Sequence, residues 1–163
     1  MKSAVLLAVL LAAVGASQLR AATGAQPFTP PRQLVFFGYA KAVTPQGKGF
    51  LVRVDPAEYL SGETANRAAI EDGVIAPGDV VPNDHYIRDE GHRLLTYRIA
   101  AGARVTVLTY SGGIRQTRIP VAELAQIVKG RNPRKRHLFE PKNGFWIRVA
   151  SDRALSLDQQ YSP

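Results

Sequence analysis

Hydrophobic positions alternate with polar or small ones over much of this chain, the period of half-buried strands. Over residues 34–43, Val35, Phe37, Tyr39 and Val43 fall on one face, and Phe36, Gly38, Ala40 and Ala42 on the other. The second face is nearly all small, which lets another backbone approach closely. Thr44-Pro45-Gln46-Gly47 has turn residues, and Phe50, Val52 and Val54 then alternate with Leu51 and Arg53, so a β-hairpin is predicted. Asp55-Pro56 is expected to close it, because proline cannot donate to a ladder. A second strand-rich block is expected over residues 86–88, 92–99, 104–110 and 114–119, with Ser111-Gly112-Gly113 as a tight hairpin turn. Residues 145–149, Phe-Trp-Ile-Arg-Val, form the last strong strand expected.

Two segments carry helical signals instead. Residues 61–73 are rich in alanine, with Thr64 placed to cap and Gly73 to terminate. Residues 121–129 follow Pro120, end at Gly130 and repeat Val121, Leu124, Ala125 and Val128 on one helical face. Faces that alternate and turns too short for crossovers predict a mainly β domain. We expect a small antiparallel barrel or sandwich of about six strands with one or two short helices. The small-residue face over residues 38–42 favours a tightly coiled, closed sheet, but both architectures remain open at this stage.

The chain begins differently. Lys2 precedes an uncharged apolar run from Ala4 to Ala13, and Val14-Gly15-Ala16 places small residues ahead of Ser17. That is the pattern of a signal peptide over residues 1–16, cut after Ala16 or, as the alternative, after Ala25. The apolar run is too short to span a bilayer. No cysteine follows it, so a lipid anchor on cysteine is excluded. The expected location is secreted or extracytoplasmic, with no transmembrane segment after cleavage. Residues 17–33, with Pro27, Pro30 and Pro31, read as a flexible linker; residues 34–150 as a single β-rich domain; and residues 151–163 as a polar C-terminal tail. A domain of that size can bury a core without staples. The absence of cysteine also rules out a thiol nucleophile, a cysteine zinc site and a disulfide framework.

Charge is unevenly placed. Nine carboxylates lie between Asp55 and Glu90 against Arg67 and Arg88, whereas residues 129–142 hold Lys129, Arg131, Arg134, Lys135, Arg136 and Lys142 against Glu140. The molecule is therefore expected to be electrically two-sided, or the two segments to meet. Clustered cations concentrate phosphate, sulfate or carboxylate polymers, so Lys129, Arg131, Arg134, Lys135 and Arg136 are the expected anion-binding residues. In the cell interior such a run would suggest nucleic acid; export disfavours that and points to an anionic envelope polymer or another exported protein. The run itself lacks the interleaved aromatics of a single-strand nucleic-acid groove.

Chemistry-bearing motifs are few. The acidic stretch could suggest calcium, yet it lacks EF-hand spacing. Ser111-Gly112-Gly113 lacks the glycines of a nucleophile elbow, and Gly47-Lys48-Gly49 lacks the rest of a phosphate-cradling loop. Asp84, His85, Asp89 and His92 form the one cluster that could be drawn as a metal-assisted or acid-base hydrolase centre. A polar turn explains it as well. No catalytic residue, metal or cofactor is assigned, and a non-enzymatic role is preferred; oligomeric state is open.

Residues 54–62 (VDPAEYLSG), 68–73 (AAIEDG) and 81–88 (VPNDHYIR) resemble a pattern in small exported bacterial proteins of unassigned function. The resemblance covers about the middle third of the chain and carries over no site residues. It implies an exported single domain.

Overall fold

The structure is a computed structural model, and it describes residues 33–91 and 93–161. The expected leader, nearly all of the expected linker, and His92 lie outside the described residues.

The strands are β1 (Leu34–Gln46), β2 (Gly49–Ser61), β3 (His85–Arg88), β4 (Leu95–Tyr110), β5 (Ile114–Arg118), β6 (Phe145–Ala150) and β7 (Arg153–Gln159); the helices are α1 (Gly62–Glu71) and α2 (Val121–Ile127). Seven strands form one sheet in the order β3-β2-β1-β6-β7-β4-β5, and an added β2–β4 pairing closes β1, β2, β4, β7 and β6 into a five-stranded barrel. Strands β3 and β5 extend it outside the closure. The alternation thus leads to the barrel rather than the sandwich. Among the described residues no helix is long and apolar enough to cross a membrane.

Two expectations about strand pairing are corrected. The polar residues taken for a C-terminal tail contain β7, which lies between β6 and β4 with Ala154 and Leu157 wholly buried. Strand β7 also runs parallel to β4, so the barrel is not purely antiparallel. The connection from β4 to β7 contains β5, α2 and β6, long enough for such a return.

Pro56 does not end β2. The β4 partner stops at Val54↔Leu95, and from Glu58 the strand pairs with β3 instead. Pro56 therefore sits where the chain changes partners, a position at which its missing N–H costs little. The β1 alternation also breaks. A bulge between Ala40 and Ala42 inserts an extra residue, so Val43 joins Phe36 and Ala40 at the barrel core instead of sharing the face of Phe37 and Tyr39. Phe37 is buried outside that core, edge-on to Tyr59 and Trp146.

The expected close approach occurs at Gly38. A Cβ there would lie 2.5 Å from the carbonyl oxygen of Asp55 and 2.8 Å from Val54 Cγ1. The obstacle is the paired backbone of β2, which has little room to move. Gly38→Ala should therefore destabilise the domain by about 1–3 kcal/mol. Urea denaturation with an unshifted midpoint would refute this contact.

Helix α1 starts a turn earlier than its predicted cap, placing Thr64 inside the first turn. Ala65 and Ala69 pack with Val81 in a small satellite cluster. Arg88 from β3 fixes the end of α1, donating to the Ala68 carbonyl at 3.0 Å and to Asp72 at 2.8 Å. Helix α2 uses the predicted face: Leu124 and Ala125 are buried in the barrel core, with Val121 and Val128 packed at its margin.

Candidate anion-binding site

The basic run begins where α2 ends. Ile127 is the last helical residue, Val128 caps the helix, and Gly130 takes φ +76°, the left-handed conformation that lets the chain turn off the helix. The Arg131 N–H then returns to the Gln126 carbonyl at 2.9 Å. Asn132 closes the following loop from both sides: its Nδ2 donates to the Arg136 carbonyl at 2.6 Å, and its Oδ1 accepts the Arg136 N–H at 3.0 Å. Lys135 occupies the exposed tip with φ +48°.

Beyond the tip the chain lies alongside β4. Tyr110 N–H donates to the His137 carbonyl at 2.8 Å, and Phe139 N–H to the Leu108 carbonyl at 2.9 Å. Gln159 of β7 bolts this segment down from inside. Its Oε1 accepts the Leu108 N–H at 2.7 Å while its Nε2 donates to the Glu140 carbonyl at 2.6 Å. A buried amide with donors and acceptor all engaged stiffens what it joins.

The five expected anion-binding residues are brought onto one loop but do not have one role. Arg136 donates through Nε to Glu123 Oε1 at 2.6 Å, and Arg134 Nε lies 3.3 Å from Glu123 Oε2. The Glu123 side chain is only 4% exposed, so these two guanidinium groups neutralise a buried carboxylate. That hydrogen bond holds Arg136 more firmly protonated than usual. Arg131 reaches the Gln126 amide oxygen at 3.3 Å. Lys129 and Lys135 are exposed, and among the described residues no carboxylate lies within ion-pair distance of either.

The acidic stretch does not supply the partner. Its ion pairs among the described residues join Asp55 to Lys41, and Glu71 and Asp72 to Arg88. The basic loop therefore keeps an excess of cations after Glu123 is satisfied.

Two adjoining clefts flank the loop. One, of about 350 Å³, is lined by Tyr39 and Lys41 of β1, the end of α2, Lys142 and Asn143. The other, of about 330 Å³, is lined by Arg131, Arg136, His137 and Leu138. They share Ile127, Gly130 and Pro141 as a common wall. Lys41 Nζ stands 3.0 Å from Asp55 Oδ2, and this hydrogen bond raises its pKa. Burial, followed by the charge of Asp89, raises that of Tyr39.

Sequence reasoning missed Lys41, Glu123 and Gln159 at this site. Glu123 is an acidic residue in the first turn of α2, and nothing local in the sequence marks it as buried. Gln159 stood in a segment whose polarity suggested solvent. Only a fold that brings α2, β1 and β7 beside the loop gives these residues their roles.

Of the second constellation, Asp84, His85 and Asp89 are among the described residues. His85 stacks on Tyr59 with ring centroids 5.2 Å apart, and its Nδ1 lies 3.1 Å from the Asn83 carbonyl oxygen. Asp84 is exposed in a turn, and Asp89 Oδ1 accepts the Gly91 N–H at 3.2 Å. His92 lies outside the described residues. Among the described residues no three His, Asp or Glu side chains are grouped to hold a metal ion. This geometry lends the hydrolase reading no support. Comparison of the chain with protein-family models, with characterised proteins and with solved structures gives no match.

Proposed function

We propose that this is an exported, non-catalytic binding module that holds an anionic envelope polymer on the loop from Lys129 to His137. The observation that carries the reading is the division of labour within the loop. Arg134 and Arg136 are held on buried Glu123, Asn132 and Gln159 fix the backbone, and Lys129, Arg131 and Lys135 are left displayed. A preorganised cationic surface loses less conformational entropy when a ligand arrives than a floppy one. Lys142 continues the positive lining into the neighbouring cleft, beside the Lys41–Asp55 ion pair.

The exposed cations give the cleaner test, because changing Arg134 or Arg136 would also strip a buried carboxylate of its partners. The triple variant K129S/R131S/K135S should bind dextran sulfate about tenfold or more weakly, with an unchanged melting curve. Its salt dependence should flatten by roughly one unit of log–log slope for each contact removed. Equal affinity and slope for variant and native chains would exclude the loop as the binding surface.

A further inference from the structure

We infer a second anion site, for the phosphate group of a small organic phosphate ester, at the end of the barrel formed by the β1–β2 and β6–β7 turns. The turn at Gly47-Lys48, the outward excursion of β4 beyond Ile99 and the start of β7 enclose a cleft of about 270 Å³. Lys48, Arg98 and Arg153 line it, and Phe50, Ile99 and Ala100 supply an apolar wall. None of these residues belongs to the basic loop.

The charge arrangement suits a bound anion. Arg98 and Arg153 are direct partners in the parallel β4–β7 ladder, where like charges side by side are unfavourable. The ion-pair partner they have among the described residues is Asp152, which stands 4.0 Å from Arg98 Nε and 3.9 Å from Arg153 Nε. Both distances exceed a hydrogen bond, and Asp152 is 70% exposed. Two guanidinium forks, each about two-thirds exposed, and an exposed lysine thus line one concavity, with one distant carboxylate beside the two forks. A tetrahedral phosphate offers separate oxygens to both forks, which a single carboxylate does less well. The apolar wall suits the carbon skeleton beside the phosphate.

The same chemistry has two sources, a free phosphate ester or the repeat of a phosphodiester polymer. Calorimetric titration of the full chain at low salt distinguishes them, using glycerol 3-phosphate, inorganic phosphate and a poly(glycerol phosphate) chain as probes. Glycerol 3-phosphate should bind with a dissociation constant of about 1 mM. R98S/R153S should weaken it about tenfold, and R98K, which keeps charge but loses the fork, several-fold. D152S, which removes the competing carboxylate, should tighten it about threefold. The loop variant K129S/R131S/K135S should leave it unchanged, so this site and the polymer-binding loop fail or stand separately. Tighter binding per phosphate of the polymer than of the free ester identifies the polymer as source, and the reverse identifies the free ester. Undiminished binding by R98S/R153S, or no gain with D152S, would overturn the site. Inorganic phosphate binding as tightly as the ester would overturn the assignment of an ester.

Discussion

A chain truncated after Ala150 is expected to lose cooperative unfolding altogether. Strand β7 pairs with β6 on one side and β4 on the other, so its removal opens the barrel and leaves two unpaired edges. Leu157 and Ala154, both at 0% exposure, leave the core with it. Asp158 is also lost, with its bonds to Arg104 at 2.7 Å and Thr106 at 2.9 Å. Near-ultraviolet circular dichroism and urea denaturation would show a collapsed state without a sharp transition. The point variant Leu157→Ala separates packing from strand loss and should cost about 3 kcal/mol, the range for a fully buried leucine. A truncated chain with the native midpoint would show that these residues are a tail after all.

Removing the carboxylate of Glu123 has the second-largest expected effect. Burying a charge is costly unless its partners stay in place, and deleting one member of such a pair leaves the other uncompensated. Glu123 is almost fully covered, whereas Arg136 is partly solvated and Arg134 mostly so; water can therefore recover part of the loss on the arginine side. Glu123→Ala should destabilise the domain by about 2–3 kcal/mol, below the full value for a wholly buried pair. Amide exchange should quicken over residues 131–137, where Asn132 and Glu123 now hold the loop. Affinity for dextran sulfate should not fall, because the variant releases two cations. A variant that keeps its stability but loses polymer binding would reverse the roles assigned to Glu123 and the exposed lysines.

The elements legible in the chain are those whose burial follows a local period. Helix α2 was fixed by Val121, Leu124, Ala125 and Val128, and the hairpins by Gly47 and Gly112-Gly113. The small-residue face of Phe36, Gly38, Ala40 and Ala42 announced a close backbone approach, which occurs at Gly38. Harder to read were features decided by distant partners. Strand β7 looks solvated because Ser156, Asp158 and Gln159 are polar, yet Asp158 bonds β4 and Gln159 bonds both β4 and the basic loop. The Asp158 carboxyl is subject to burial, which alone would raise its pKa, but bonds from Arg104, Thr106 and Ser156 hold it below the usual value.

A single inserted residue defeats period reading in the same way. Lys41 occupies the bulge of β1, and every inference about facing beyond it inverts, as Val43 shows. The basic run was visible as charge, but its internal division was not. Which arginines face solvent depends on a glutamate that only the folded α2 presents.

The most direct test of the functional account is an amide chemical-shift map of the ¹⁵N-labelled chain titrated with dextran sulfate. Shifts concentrated over residues 129–142 and at Lys41, fading as salt is raised, are the predicted result. Shifts that leave the Lys129–His137 loop untouched would contradict it.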